Sequence, residues 1–188
     1  MPQKPFSNPS LPIVCVQGLG FVGAAMAVSV ASARDAEGLP IFNVYGVDLP
    51  NPSGLEAISA INEGRFPRPT TDAKLISATK LAHDGCNLLA TSDESVYGFG
   101  EIIVCDINLD IIQDKQLPDV DFESFETGIR AIGKNMQPGA LVLVETTVPP
   151  GTCARVVAPA LGKELKRRNE DPNSFLLAHS FERVMPGA

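Results

Sequence analysis

A chain of 188 residues with 44% apolar and 20% charged content is long enough to form one domain with a buried core. Its formal net charge of −7 argues against the basic surface of a nucleic-acid-binding protein, and it contains no run of about 18 apolar residues that could cross a membrane. The four cysteines show neither a CxxC pair nor Cys/His ligand spacing, so we predict no disulfide and no metal site.

The chain begins with MPQKPFSNPS, which is polar, rich in proline and without the apolar core of a signal peptide. We therefore expect a flexible lead-in over residues 1–11 and a cytoplasmic protein with neither nucleic acid nor a membrane as partner. From residue 12, apolar runs alternate with segments of helical length. Strands are predicted at 12–17, 43–48, 87–91, 101–105, 140–145 and 175–179, and helices at 21–34, 54–63, 72–82, 121–136 and 152–168. This alternation predicts a doubly wound α/β fold, a mostly parallel sheet with helices on both faces.

The string VQGLGFVG leads from the first predicted strand into an alanine-rich helix. A glycine-rich turn at that place is typical of a Rossmann-type dinucleotide site. Gly18 allows the tight turn, Gly20 lets the backbone approach the pyrophosphate, and Gly23 lets helix and strand pack closely. The free amide groups at the helix start attract anions. The predicted cofactor-binding residues of this turn are Gly18, Leu19, Gly20, Phe21, Val22 and Gly23.

Asp48 ends the second predicted strand, where such sites carry an acidic residue. A carboxylate there can accept both hydroxyls of the adenine ribose and repel a 2′-phosphate, which favours NAD over NADP. The interval after Gly23 exceeds the ~20 residues that are typical, and the insert RDAEGLPI accounts for the excess. The alternative is an ordinary aspartate that caps the turn after its strand.

Hydroxyls and carboxylates follow several of the predicted strands. Because ligands of doubly wound sheets bind beyond the carboxyl ends of the strands, these residues are the candidates for a site. They are Gly18–Gly23, Asp48, Thr91 to Asp93, Asp106 to Asn108, Glu145 to Thr147 and Ser180 to Glu182.

Seven strings, in order, resemble the N-terminal domain of the UDP-glucose/GDP-mannose dehydrogenase family. They are VQGLGFVG, VYGVD, INEGRFP, LLATSD, LPDVDFESF, PGALVLVETTVPPGT and HSFERVMPG. ETTVPPGT and ERVMPG are the specific ones, and ERVMPG is more similar to the branch that acts on UDP-N-acetylhexosamines such as UDP-N-acetylmannosamine. The resemblance implies a dinucleotide-binding domain over residues 12–188, with the central helix and C-terminal domain of the family absent from the chain.

The resemblance implies a parent enzyme, a homo-oligomer, that oxidises the C6 alcohol of a UDP-sugar to a carboxylate with two NAD. It implies that Asp48 binds the adenosine side of NAD, that Asp106 approaches the dinucleotide, and that Thr146 and Thr147 border the nicotinamide. Thr147 and Glu182 are the implied catalytic residues, because thioester hydrolysis needs an oriented water and a nearby proton acceptor. The residues implied to approach the sugar are Glu182, Arg183, Val184 and Met185.

The chain departs from the family pattern at several places. Phe181 stands where the family has proline, the string Asp106–Leu109 replaces the usual V-P-T-P, and no arginine follows Asp48 before Arg65. The family's catalytic cysteine lies beyond this chain, so we expect the chain alone not to turn over.

Other interpretations stay open. Thr147 could simply end a strand before Pro149, and Glu182 could form a surface ion pair with Arg183. The chain could also be a stand-alone NAD-binding regulatory module, or the cofactor domain of another two-domain NAD-dependent oxidoreductase.

Overall fold

The computed structural model describes residues 6–112, 119–180 and 182. Its strands are β1 Ile13–Gln17, β2 Asn43–Val47, β3 Leu88–Thr91, β4 Ile102–Cys105, β5 Asp110–Ile112, β6 Asp119–Asp121, β7 Leu141–Val144 and β8 Leu176–His179. Six of them form one parallel sheet in the order β3-β2-β1-β4-β7-β8. The strands β5 and β6 form a separate antiparallel pair. The strand order reverses between β1 and β4, which is where doubly wound sheets bind dinucleotides.

The described helices are α1 Phe21–Ala31, α2 Pro52–Asn62, α3 Ala73–Asp84, α4 Glu123–Asn135 and α5 Ala158–Arg167. Side-chain oxygens of Asn51 and Asp72 accept hydrogen bonds from the first free amide groups of α2 and α3, which fixes where these helices begin. A 3₁₀ turn covers Glu94–Phe99, and a π turn at Cys153–Val157 leads into α5. No helix in the described ranges is both long and apolar enough to span a membrane.

The sheet separates two apolar clusters, and β1 contributes to both. All five residues of β1 are buried. Ile13 and Cys15 join the cluster that includes side chains of α4 and α5, whereas Val14 and Val16 join the cluster that includes side chains of α1, α2 and α3. A strand covered on both faces has no polar alternation, which explains the continuously apolar runs of the sequence.

The strand registers place the carboxyl ends of the sheet at one level. Gln17 pairs with Val47 on one side and Cys105 on the other, and Cys105 pairs in turn with Val144. The residues that directly follow these strands therefore form one edge of the sheet. They are Gly18, Asp48, Asp106 and Glu145.

The predicted doubly wound fold is confirmed, since each predicted strand of the sheet and each predicted helix overlaps an observed one. The first helix ends at Ala31 rather than at residue 34, and Ser32 follows as its C-cap. The β5–β6 pair and the 3₁₀ turn were not predicted. Each strand of that pair is only three residues long and carries aspartate, which is depleted in strands.

Phe6 attaches the start of the described chain to the sheet. It is buried, and its ring centroid lies 4.7 Å from that of Tyr45. The Ser7 hydroxyl donates a hydrogen bond to the Gly85 carbonyl at 2.9 Å. Residues 6 and 7 therefore contact the folded domain, because an aromatic side chain finds an apolar partner there.

Candidate cofactor site

A cleft of about 590 Å³ opens beyond the carboxyl ends of β1, β2 and β4. Four of the predicted cofactor-binding residues line it: Gly18, Gly20, Asp48 and Asp106. Other lining residues were not singled out as ligands by the sequence. They include Gln17, Leu49, Pro50, Arg68, Glu94, Tyr97, Glu123 and Thr127.

The three glycines of the turn have different neighbours. Gly18 has φ +90°, and a Cβ there would lie 2.3 Å from the Asp106 carbonyl oxygen. A Cβ on Gly23 would lie 2.0 Å from the Gly18 carbonyl oxygen. A Cβ on Gly20 would meet no atom within 4 Å, although this residue lines the cleft. Gly18 and Gly23 are therefore needed by the packing of the turn itself, whereas Gly20 leaves space inside the cleft.

The start of α1 has the properties of an anion site. Gly20 is the N-cap residue and supplies no side-chain hydrogen bond, so no side chain of that residue covers the first amide groups of the helix. These groups carry the positive end of the helix dipole. The bare amides and the open space at Gly20 together fit the diphosphate of a dinucleotide.

Asp48 joins the ends of β1 and β2. Its Oδ2 accepts the backbone N–H of Leu19 at 2.9 Å, and its Oδ1 accepts the N–H of Leu49 at 2.7 Å. Asp48 is partly exposed and lines the cleft, so lone pairs remain for hydroxyl groups of a ligand. The cap of the following helix is Asn51, which accepts the Gly54 N–H at 2.8 Å. Asp48 thus caps its own turn and also faces the cleft.

Arg68 brings a guanidinium group to the wall of the cleft. Both of its terminal nitrogens lie 3.4 Å from the Ser53 hydroxyl oxygen, close to the start of α2. Arg65, the first arginine after Asp48 in the sequence, is instead exposed and paired with Glu63 at 2.6 Å. No sequence pattern predicted that Arg68 lines the cleft. Its position depends on the path of the loop between α2 and α3.

Three carboxyl groups meet at the other end of the sheet edge, where β4, β7 and β8 end. Asp106, Glu145 and Glu182 each have a buried side-chain oxygen without a hydrogen-bond partner. Burial, followed by the charges of Glu145 and Glu182, raises the pKa of Asp106 to about 7. Burial and the charge of Glu182 also raise the pKa of Glu145. Asp106 and Glu145 therefore hold protons more strongly than carboxyls in water do.

The two threonines after β7 differ in their surroundings. Thr146 is buried, and its hydroxyl donates to the Ile107 carbonyl at 2.7 Å, which ties the end of β7 to the segment after β4. Thr147 is exposed at the same edge of the sheet. Thr146 therefore fixes the backbone, and Thr147 is the threonine whose side chain is open to solvent.

The remaining predicted residues lie behind the cleft or outside the described chain. Leu19 is fully buried, and the Phe21 ring packs edge-on against Phe66 with centroids 5.5 Å apart. Val22 is half-buried in the first turn of α1. The predicted sugar-binding residues that lie outside the described residues are Arg183, Val184 and Met185.

Comparison with known proteins agrees with this geometry. Residues 13–188 match the model of the UDP-glucose/GDP-mannose dehydrogenase family, NAD binding domain. The chain is 30% identical over 178 residues to UDP-N-acetyl-D-mannosamine dehydrogenase of Pyrococcus horikoshii, covering 93% of this chain and 37% of that protein. It is 28% identical over 176 residues to the protein of the same name from Methanocaldococcus jannaschii, covering 93% of this chain and 35% of that protein.

A solved structure shows the same architecture. The crystal structure of NDP-N-acetyl-D-galactosaminuronic acid dehydrogenase from Methanosarcina mazei Go1 superposes with a TM-score of 0.82 at 29% identity, covering 95% of this chain and 36% of that chain. The present chain thus spans little more than a third of the length of the relatives it matches.

Proposed function

The chain belongs to the UDP-glucose/GDP-mannose dehydrogenase family as its NAD-binding domain, and from that premise we propose that the cleft above β1, β2 and β4 holds NAD. The glycine turn and the start of α1 would bind the diphosphate. Asp48 would accept the hydroxyls of the adenine ribose. The observation that carries this assignment is the open space at Gly20, the N-cap of α1, in a cleft that Gly18 and Asp48 also line.

The adenosine side of the cleft has a cation as well as a carboxylate. Asp48 lies on the wall next to Leu49 and Pro50, and Arg68 lies on the same cleft. A guanidinium group can stack on an aromatic base and attract a phosphate. Arg68 would therefore contact the adenosine monophosphate half, in place of the arginine that the sequence lacks soon after Asp48.

We further propose that the chain acts within a longer enzyme that oxidises the C6 alcohol of a UDP-sugar to a carboxylate. Bound NAD⁺ supplies a hydride acceptor, and two are consumed in succession. The alcohol first loses a hydride and a proton to give an aldehyde. A cysteine outside this chain adds to the aldehyde, and the thiohemiacetal loses a second hydride and proton to give a thioester. Water then releases the carboxylate and restores the thiol.

Two described residues are suited to the last step. Thr147 is exposed at the end of β7, and its hydroxyl can hold a water molecule. Glu182 has a buried oxygen that lacks a hydrogen-bond partner and interacts with Glu145 and Asp106. A carboxylate oxygen without a partner, at the same edge of the sheet as that threonine, suits a general base in thioester hydrolysis. The segment that continues from Glu182 through Arg183 to Met185 would approach the sugar.

The relatives' names indicate the substrate class. Two are named UDP-N-acetyl-D-mannosamine dehydrogenase, and one is named NDP-N-acetyl-D-galactosaminuronic acid dehydrogenase. The chain would therefore serve an enzyme for a UDP-N-acetylhexosamine, working as a homo-oligomer.

The test is the stoichiometry of the longer protein. With UDP-N-acetylmannosamine and excess NAD⁺, two NADH should form per carboxylate released, and Thr147→Val and Glu182→Gln should slow the release. Formation of one NADH with an aldehyde or ketone product would identify a different oxidoreductase. Saturable NAD⁺ binding without oxidation of any nucleotide sugar would identify a regulatory module.

A further inference from the structure

Asp106 lies beside the glycine turn to which the diphosphate is assigned. It follows β4 and lines the cleft together with Gly18 and Gly20. Its Oδ2 lies 3.2 Å from the position that a Cβ on Gly23 would occupy, so the carboxyl group packs against the first turn of α1. The same turn provides the anion site described above.

The surroundings of Asp106 do not balance a negative charge. Its Oδ2 is buried without a hydrogen-bond partner. Glu145, from the end of β7, is only 5% exposed and also has an oxygen without a partner, and Glu182, after β8, has another. The thiol of Cys105, on its own strand, has a pKa raised to about 12 by burial and is neutral. The cleft wall adds a further carboxylate, Glu94, whereas Arg68 lies beside Ser53 on the β2 side.

We infer that Asp106 is a neutral carboxylic acid when a dinucleotide occupies the cleft and that its proton forms a hydrogen bond with the diphosphate. This inference rests on the proposed function. An ionised carboxylate beside a diphosphate would add a repulsion, and Arg68, the cation among the described lining residues, lies on the β2 side of the cleft. A protonated carboxyl instead provides an O–H donor, and hydrogen bonds to charged acceptors are short and strong.

The consequence is that binding takes up a proton. The pKa of Asp106 is raised to about 7 by burial and then by Glu145 and Glu182, so the free protein holds this proton only in part at neutral pH. A diphosphate raises the pKa further, because it disfavours the charged form. Above pH 7 the affinity must therefore fall, and we expect a loss of about tenfold between pH 6.5 and 8.5.

The test measures the dissociation constants of NAD⁺ and of ADP-ribose by calorimetry at pH 6.5 and 8.5, in buffers of different ionisation enthalpy. ADP-ribose has the diphosphate but no nicotinamide. We expect both ligands to lose about tenfold in affinity at the higher pH and to bind with uptake of up to one proton. A pH effect seen with NAD⁺ and not with ADP-ribose would overturn the assignment to the diphosphate.

Two variants and a control complete the test. Asp106→Asn keeps a hydrogen-bond donor without a titratable proton, and Asp106→Val is neutral and apolar. Both variants should bind NAD⁺ and ADP-ribose with dissociation constants that do not depend on pH and without proton uptake. The Asp106→Asn variant should bind both ligands more tightly than Asp106→Val does. Glu101→Gln removes one exposed carboxylate at the opposite end of β4 and should behave as the original chain.

The outcomes separate this inference from the proposed function. Saturable binding that is independent of pH in the original chain, or equally pH-dependent in Asp106→Asn, overturns the role of Asp106 alone. A folded chain that binds neither ligand at either pH overturns both.

Discussion

The carboxylate of Asp48 accepts a hydrogen bond from the backbone N–H of Leu19 at 2.9 Å. The residue that directly follows β2 thus holds the glycine turn that directly follows β1. The second oxygen accepts the Leu49 N–H at 2.7 Å. Asp48 therefore has two tasks: it keeps the glycine turn in place and presents a carboxylate to the cleft. The cofactor site is consequently formed by the folded ends of two neighbouring strands, not by the glycine turn alone.

Replacing Asp48 should lower the binding free energy of NAD⁺ by more than it lowers the free energy of unfolding. Asp48→Ala removes the acceptor of the Leu19 N–H and the proposed partner of the ribose, and we expect a loss of roughly 1–3 kcal/mol in binding free energy. Asp48→Asn keeps a hydrogen-bond acceptor and should lose less. Calorimetric titration of both variants measures the effect, and an affinity for NAD⁺ unchanged in Asp48→Ala would remove the residue from the site.

The three glycines of the turn should respond differently to substitution. Gly20→Val should leave the thermal midpoint nearly unchanged, because its Cβ meets open space and its φ of −60° suits any residue. The same change should weaken NAD⁺ binding at least tenfold, on the order of 1.4 kcal/mol, since it fills the volume assigned to the diphosphate.

Gly18→Ala and Gly23→Ala are the matched controls. Their Cβ atoms would lie 2.3 Å and 2.0 Å from carbonyl oxygens, so both should lower the free energy of unfolding by about 1–3 kcal/mol or more. The thermal midpoints and the NAD⁺ affinities of the three variants measure these effects. Normal NAD⁺ binding by a folded Gly20→Val variant would contradict the assigned position of the diphosphate.

The two arginines of the segment between α2 and α3 allow a direct comparison. Arg68→Ala should weaken NAD⁺ binding by about 1 kcal/mol, because Arg68 lines the cleft and the interaction is partly screened by solvent. Arg65→Ala should have no effect on binding, because Arg65 is exposed and paired with Glu63. Equal affinities of the two variants would show that Arg68 makes no contact with the cofactor.

Stability should fall as the pH rises towards neutrality. The pKa of Asp106 is raised to about 7 in the folded chain by burial, with Glu145 and Glu182 adding to the effect, against an ordinary value of 3.8. Between those two values the folded state binds more protons than the unfolded state, so the free energy of unfolding decreases with increasing pH until the pKa of the folded state is passed.

Asp106→Asn should remove this part of the pH dependence. After allowance for solvent screening, the variant should be more stable than the original chain at pH 8 by on the order of 1 kcal/mol, with a smaller difference at pH 5. Chemical denaturation at the two pH values measures it. A difference that is larger at pH 5 than at pH 8 would have the wrong sign for a buried carboxyl with a raised pKa.

Parts of the site could be read from the sequence because they follow directly from strand ends. Once the strands are recognised, Gly18, Asp48, Asp106 and Glu145 must share one edge of a parallel sheet. Arg68 could not be found in this way, because it reaches the cleft from a loop whose path depends on tertiary packing.

The acidic group is an intermediate case. No order of the strands follows from the sequence alone, and the proximity of Asp106 to Glu145 requires β4 and β7 to be neighbours. The absence of a compensating hydrogen bond at three carboxyl oxygens depends on side-chain positions that no sequence pattern encodes. The sequence therefore identified Asp106 and Glu145 as candidates, and the structure was needed to show that their pKa values are raised.

Parallel calorimetric titrations of NAD⁺ and NADP⁺ into this chain test whether it is an NAD-selective dinucleotide domain. We expect saturable binding of NAD⁺ and much weaker binding of NADP⁺, because the Asp48 carboxylate repels a 2′-phosphate. Equal binding of the two dinucleotides would contradict the role of Asp48. Binding of neither by the folded chain would contradict the assignment of the cleft itself.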